Sequence, residues 1–349
     1  MAQRNKYKSG HDPLQERKEW QARRQEEVID PAQPIIDPHH HVWDRESRYL
    51  LDELLDDFES GHDIRSSVFL QCNSMIREHG PEAEKPLGET EFVNGIAAMA
   101  ASGTYGPIRA CEGIISFADL RIGAPVESIL RRHLEIGGAR FRGVRQLSCW
   151  DEDTDVKKVI RTPSPRHALA EPKFREGFAK LAPLGLTFDA WLYFHQLDDV
   201  VDLARAFPET TIIIDHVGGV LGIGRYANDR AGVFEEWRKM IRKTAGCPNV
   251  MIKLGGLGMI SCGLGFNKMP VPPSSEELAA AWKPYIDTCI EAFGPERAMF
   301  ESNFPVDKET CSYRVVWNTF KRLAANYSKD EKAALFHRTA ARVYRLQQI

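Results

Sequence analysis

The chain is 349 residues long, enough to bury a full core and to form one large α/β barrel as readily as two average domains. Its 46 basic and 49 acidic residues nearly cancel and form no basic stripe, which excludes a nucleic-acid footprint and leaves a small molecule as the expected partner. The 7 cysteines are odd in number, scattered and never spaced C-x-x-C, which excludes a disulfide frame or zinc knuckle and fits reduced thiols in a cytoplasmic protein. Nothing at the N-terminus resembles a signal peptide and no apolar run approaches a membrane span, so no membrane partner is expected.

Residues 1–33 read as a polar arm, and residues 34–349 as one domain. Met1 to about Gly10 are expected to fray. From Pro13 through Glu27, mixed charge on good helix formers predicts a surface helix, a candidate contact for a homo-oligomer. The run Pro34-Ile35-Ile36-Asp37-Pro38-His39-His40-His41 then carries an apolar strand into three imidazoles. Side chains alternate along a strand, so His39 and His41 share one side and His40 faces the other. A short helix at Tyr49–Leu55 precedes a buried strand at Ser67–Cys72. Met75 to about Thr90, acidic and bearing Pro and Gly, reads as an insertion loop. Phe92–Ala101 is helical in pattern, and Ile108–Phe117 supplies the third strand.

Pro125 opens a helix that Gly137-Gly138 closes, the usual asymmetry of helix ends. Strand four is Phe141–Leu147; a helix at Pro172–Leu184 leads to strand five, Leu186–Phe194, which ends at His195. A helix at Asp198–Phe207 precedes strand six, Thr211–Ile214, which runs into Asp215-His216. After a helix from Gly232 to about Thr244 comes strand seven, Val250–Gly256. Ser274 with Glu277 forms a capping box for a helix reaching Phe293, and Ala298–Pro305 holds strand eight and its exit turn. Two helices, Tyr313 to about Ala325 and Lys329–Leu346, finish the chain. Eight short β runs, each followed by a helical stretch, predict a (β/α)8 TIM barrel; an open doubly wound sheet is disfavoured because no glycine-rich phosphate turn follows the first strand.

In such a barrel the reacting groups gather at the C-terminal strand ends, where His39, His41, Arg145, His195, His216, Lys253 and Asn303 fall. Each has a plainer explanation: a lone histidine is more often a satisfied loop residue, Arg145 could pair with a core carboxylate, and Asp215 could cap the helix after it. Their coincidence at several strand ends is what favours a site.

The motifs Ile-Ile-Asp-Pro-His-His-His-Val-Trp-Asp, Phe-Arg-Gly-Val-Arg, Ile-Asp-His-Val-Gly, Val-Met-Ile-Lys-Leu-Gly-Gly-Leu and Met-Phe-Glu-Ser-Asn-Phe-Pro-Val-Asp resemble the amidohydrolase-related family, in its branch of TIM-barrel sugar and dicarboxylate lactonases. The resemblance runs from about Ile35 to the C-terminus. It implies that His39 and His41, with His195 as a third ligand, hold a divalent metal such as zinc or manganese, or that the paired imidazoles act without one. It also implies that His216 is an acid/base or carbonyl-polarising group and that Arg145 grips a substrate carboxylate.

The departure is Asn303, where relatives usually carry an aspartate that takes the proton of attacking water; an amide orients water but cannot accept that proton. Glu301 and Asp307 are the nearby carboxylates that could substitute for it, but the plainer reading is favoured for both: an inward barrel ion pair and a solvated loop group respectively. The leading expectation is a hydrolase that opens a lactone or a related cyclic ester or amide of a carboxylated small molecule, with His39, His41, His216 and Asn303 at the reaction centre. The alternatives are a decarboxylase or other lyase on the same barrel, which needs no water-activating aspartate, and a binding protein that has lost turnover.

Overall fold

The computed structural model describes residues 13–45 and 47–349, with backbone only for 13–15. The segment expected to fray lies outside them. Eight parallel strands follow one another around a barrel: β1 Pro34–His40, β2 Asp63–Leu70, β3 Arg109–Ser116, β4 Phe141–Leu147, β5 Thr187–Trp191, β6 Ile212–Ile214, β7 Val250–Leu254 and β8 Ala298–Phe300. Closure between β8 and β1 lies just beyond the end of β8, where the His41 amide donates to the Phe304 carbonyl at 2.8 Å and the Asn303 amide to the His39 carbonyl at 2.9 Å. Helices such as Leu87–Ala101, Arg230–Ala245 and Ser275–Phe293 wrap the outside. The predicted capping box holds, with the Glu277 amide donating to Ser274 Oγ at 3.1 Å and the Ser274 amide to Glu277 Oε2 at 2.7 Å.

Buried on both faces, the strands read as nearly continuous apolar runs, and their alternation sorts two kinds of core. Val250, Ile252 and Leu254 of β7 join the cluster beneath the helices. Met251 joins a second cluster with Ile36, Val68, Ile115, Ile213 and Met299, into which Tyr344 at the end of the C-terminal helix and Leu346 just beyond it also pack. Continuing the inward alternation two residues along each strand replaces apolar groups with charged ones: Met251 gives way to Lys253, Ile213 to Asp215 and Met299 to Glu301, all fully buried. The C-terminal end of the barrel therefore holds a layer of charge above an apolar floor.

Two segments differ from their sequence patterns. The stretch read as an insertion loop already enters its helix at Leu87, because Glu89 turns inward and accepts the Cys72 and Ser74 amides at 3.0 and 2.8 Å. The arm packs onto the barrel: Trp20 Nε1 donates to the Met269 carbonyl at 2.8 Å, and the buried Gln21 amide donates to the Lys308 and Cys311 carbonyls at 2.5 and 2.9 Å. It thus straps the loops that leave β7 and β8.

Candidate active site

The histidine strand behaves as its alternation predicts. The rings of His39 and His41 lie 5.0 Å apart edge to face, while His40 turns outward to Phe58 and Phe69 and meets Ser67 Oγ at 2.8 Å. His41 Nδ1 bonds the Leu70 carbonyl at 2.8 Å, which fixes that nitrogen as the donor and leaves Nε2 basic. Asp37 sits at the root of this strand and accepts Ser302 Oγ at 2.6 Å and Tyr313 Oη at 3.0 Å, tying β1 to the end of β8. Burial pushes its carboxyl up to about 6 even so.

Glu301 organises the centre. Its Oε2 lies 2.6 Å from His39 Nδ1 and its Oε1 lies 2.7 Å from His216 Nδ1, and Oε1 also accepts the His216 amide at 3.1 Å. Burial opposes its ionisation, yet His216 and His39 hold its carboxyl well below the usual range. An ionised carboxylate can only accept, so both histidines present Nδ1–H to it and keep Nε2 as the basic nitrogen. Burial, reinforced by the neighbouring Lys253 charge, pushes His39 down to about 4, so that ring is neutral at pH ~7.

Around this trio runs a buried network of charge. Lys253 Nζ lies 2.7 Å from Asp189, 3.1 Å from Asp215 and 3.3 Å from His39 Nδ1. Arg145 Nη1 reaches Asp215 Oδ2 at 3.2 Å and His39 Nε2 at 3.3 Å, and its Nη2 donates to the Gln71 carbonyl. Both arms of the guanidinium expected to face a substrate carboxylate are therefore occupied by the protein. Asp215 does not cap the short helix that follows it; its side chain makes no capping bond and faces Lys253 and Arg145 instead.

The exits of β6 and β8 bend sharply. His216 at φ +55° and Asn303 at φ +56° occupy the left-handed region that non-glycine residues avoid, a strain that recurs at functional sites. Gly256 is required opposite His216, since a Cβ there would fall 2.5 Å from the imidazole. Asn303 Nδ2 donates to Asp307 Oδ1 at 2.9 Å, and the Gly258 amide donates to Asp307 Oδ2 at 3.1 Å. Asp307, expected as a solvated loop group, is 1% exposed, because the turn after β8 folds it back beneath Gly258. Burial pushes its carboxyl up to about 7.

The structure brings His39, His41, Arg145, His216 and Asn303 to one end of the barrel, with Glu301, Asp215, Lys253 and Asp307 among them. His195 stands apart from that group: its Nε2 meets Asp151 Oδ2 at 2.9 Å, and the same oxygen accepts Tyr226 Oη at 2.7 Å. For a metal, the trio assembled among the described residues is His39, His216 and Glu301, whose ligand atoms lie within 4.8 Å of one another, in place of His39, His41 and His195. Two imidazoles and a carboxylate are a donor set that zinc accepts, so these residues fit a divalent cation. Glu301 had one legible signal in the sequence, its position two residues before Asn303 on the same strand face.

A family model described as amidohydrolase matches residues 36–346. The chain is 34% identical over 331 residues to the uncharacterized protein y4mH of Sinorhizobium fredii, spanning 89% of this chain and 98% of that one. It is 27% identical over 290 residues to an L-fucono-1,5-lactonase of Burkholderia multivorans, spanning 78% and 88%. A solved amidohydrolase from Burkholderia multivorans with bound zinc superimposes with a TM-score of 0.68 at 25% identity, covering 90% of this chain and 99% of that one. On a family match over nearly the whole barrel and a matching fold, the chain belongs to the amidohydrolase family of enzymes.

Proposed function

We propose that the chain is a hydrolase that opens a lactone, or a related cyclic ester or amide, by adding water to its carbonyl. The observation that carries this reading is Asp307: a buried carboxylate bonded to Asn303 and held near neutral supplies the base that Asn303 itself cannot be. As the water oxygen bonds to the carbonyl carbon, Asp307 takes one proton. When the ring carbon–oxygen bond breaks, Asp307 returns that proton to the departing alkoxide, so one water enters and one hydroxy acid leaves.

Glu301 fixes the tautomers of His39 and His216 and holds both rings against the reacting carbonyl. His39, His216 and Glu301 would hold a divalent metal, zinc or manganese, which supplies Lewis-acid polarisation of the carbonyl when bound. Arg145 serves as a brace between β2, β4 and β6 in this scheme, and no substrate carboxylate is required of it. The similarity to lactonases supports the choice of ester over other amidohydrolase substrates.

The test is a pH-indicator assay on a panel of lactones and carboxylated aromatic acids, with metal content measured on protein purified without chelator. Opening of at least one lactone is expected. Release of carbon dioxide from an aromatic acid, with every lactone left intact, would replace the hydrolase with a lyase.

A further inference from the structure

Residues 13–33 lie ahead of the stretch that matches the family model, and the chemistry proposed above makes no use of them. Two consecutive residues at the end of the helix Pro13–Gln21 nonetheless hold both loops beside the proposed base. Trp20 takes the Met269 carbonyl on the long loop after β7, and Gln21 takes the Lys308 and Cys311 carbonyls on the turn after β8. Arg23 and Arg24 extend the first attachment, donating to the Pro270 and Pro272 carbonyls at 3.1 and 3.0 Å.

Asp307 lies where those two loops meet. Its Oδ1 accepts from Asn303 on the β8 side, and its Oδ2 accepts the Gly258 amide on the β7 side. Thr310 closes the join: its amide donates to the Asp307 carbonyl at 2.9 Å and its Oγ1 to the Gly258 carbonyl at 2.7 Å. The direction of the carboxylate therefore depends on how the turn after β8 sits against Gly258. That turn begins at Asn303 with φ +56°, a conformation that persists only where the surroundings enforce it.

The arm grips this turn in two ways, and they are unequal. The Arg17–Glu309 ion pair at 3.1 Å is a surface contact, with Glu309 49% exposed, and such pairs contribute little. Gln21 is 6% exposed, and the two carbonyls it holds belong to the buried residues Lys308 and Cys311, so breaking its bonds leaves acceptors without a donor and frees the turn to move.

We propose that Gln21 is a positioning residue of the reaction: by fixing the turn after β8 against the loop after β7, it aims the Asp307 carboxylate at the attacking water. The proposal rests on the reading of Asp307 as the base and extends the active site into the arm.

The test uses the full chain and a lactone that the parent opens. Gln21→Met keeps the length of the side chain and removes both donors; kcat should fall about tenfold with KM within about twofold of the parent, because a misaimed base raises the barrier and leaves substrate binding alone. Asn249→Ala controls for stability. Just ahead of β7, at the opposite end of the barrel, Asn249 holds the Ala204, Phe207 and Thr210 carbonyls at 3.2, 3.1 and 3.0 Å, so its loss should lower the urea midpoint at least as far as Gln21→Met does and leave kcat unchanged. A parental kcat in Gln21→Met, or an equal loss in Asn249→Ala, overturns the positioning role. If Asp307→Asn keeps the parent's rate, or the parent opens no lactone, the reading of Asp307 as base fails instead, and urea midpoints decide the positioning by themselves. Shifts of Gln21→Met and Asp307→Asn that fail to add in the double variant uphold it, and additive shifts overturn it.

Discussion

Replacing Asp307 with Asn tests both the chemistry and the electrostatics of the exit from β8. The Asp307 carboxyl is pushed from an ordinary 3.8 up to about 7 by burial, so the folded state binds its proton more tightly than the unfolded chain does. A group raised in this way stabilises the fold fully below its ordinary value, and that contribution is lost as pH rises through about 7. Each unit is worth about 1.4 kcal/mol, so ionised Asp307 weighs against folding by roughly 4 kcal/mol above pH ~8 and by under ~2 kcal/mol at pH ~5. Asn at this position cannot ionise, and it loses one of the two acceptors that Asn303 and Gly258 use, a penalty of about 1 to 3 kcal/mol that does not vary with pH.

The variant should therefore gain about 3 kcal/mol on the parent between pH ~5 and pH ~8.5, whatever its offset at either end. Urea denaturation at the two pH values measures this difference. In parallel, kcat should fall by about a hundredfold or more, and the parent's rate should decline as pH drops through about 7, because the base must be ionised to act. A stability difference that does not change with pH would refute the buried-carboxylate argument, and a variant with the parent's kcat would refute the assignment of Asp307 as base.

Glu301→Gln leaves one acceptor for two histidines, so one ring must change tautomer; kcat should fall about a thousandfold, and bound metal should drop in elemental analysis, whereas parental rates would detach Glu301 from the chemistry. Arg145→Lys keeps the charge and cannot span both the Gln71 carbonyl and Asp215, so the urea midpoint should report a loss of about 2 to 4 kcal/mol; a variant as stable as the parent would show that the fork is not a brace. Gln21→Ala removes two buried donor contacts to the β8 exit loop and should lower stability by about 1 to 2 kcal/mol in a thermal melt, an effect that an arm detached from the barrel would not produce.

The barrel was legible in the linear chain because both of its signals are local. Strands buried on two faces must be short and apolar, and the helices between them carry their own start and stop residues, as Ser274 with Glu277 and Pro125 with Gly137-Gly138 show. The same locality made the histidine strand readable: alternation alone separates His40, packed outward on Phe58, from His39 and His41. The family resemblance, not alternation, marked Asn303 as the place where a carboxylate was missing.

Partnership was decided elsewhere. Whether Arg145 faces a ligand or braces strands depends on Asp215 and on the Gln71 carbonyl, 70 and 74 residues away in the chain. Asp307 looked like a loop carboxylate until the turn after β8 carried it beneath Gly258 and out of solvent, the change that moves its proton affinity toward neutrality. Glu301 bridges histidines from β1 and from the end of β6 because barrel closure stacks the inward face of β8 against both. Sequence sets which side of a strand a charge faces, since that follows from backbone geometry one residue at a time. What the charge meets there, and hence its ionisation and its role, follows from burial and distance, which exist only once the barrel has closed.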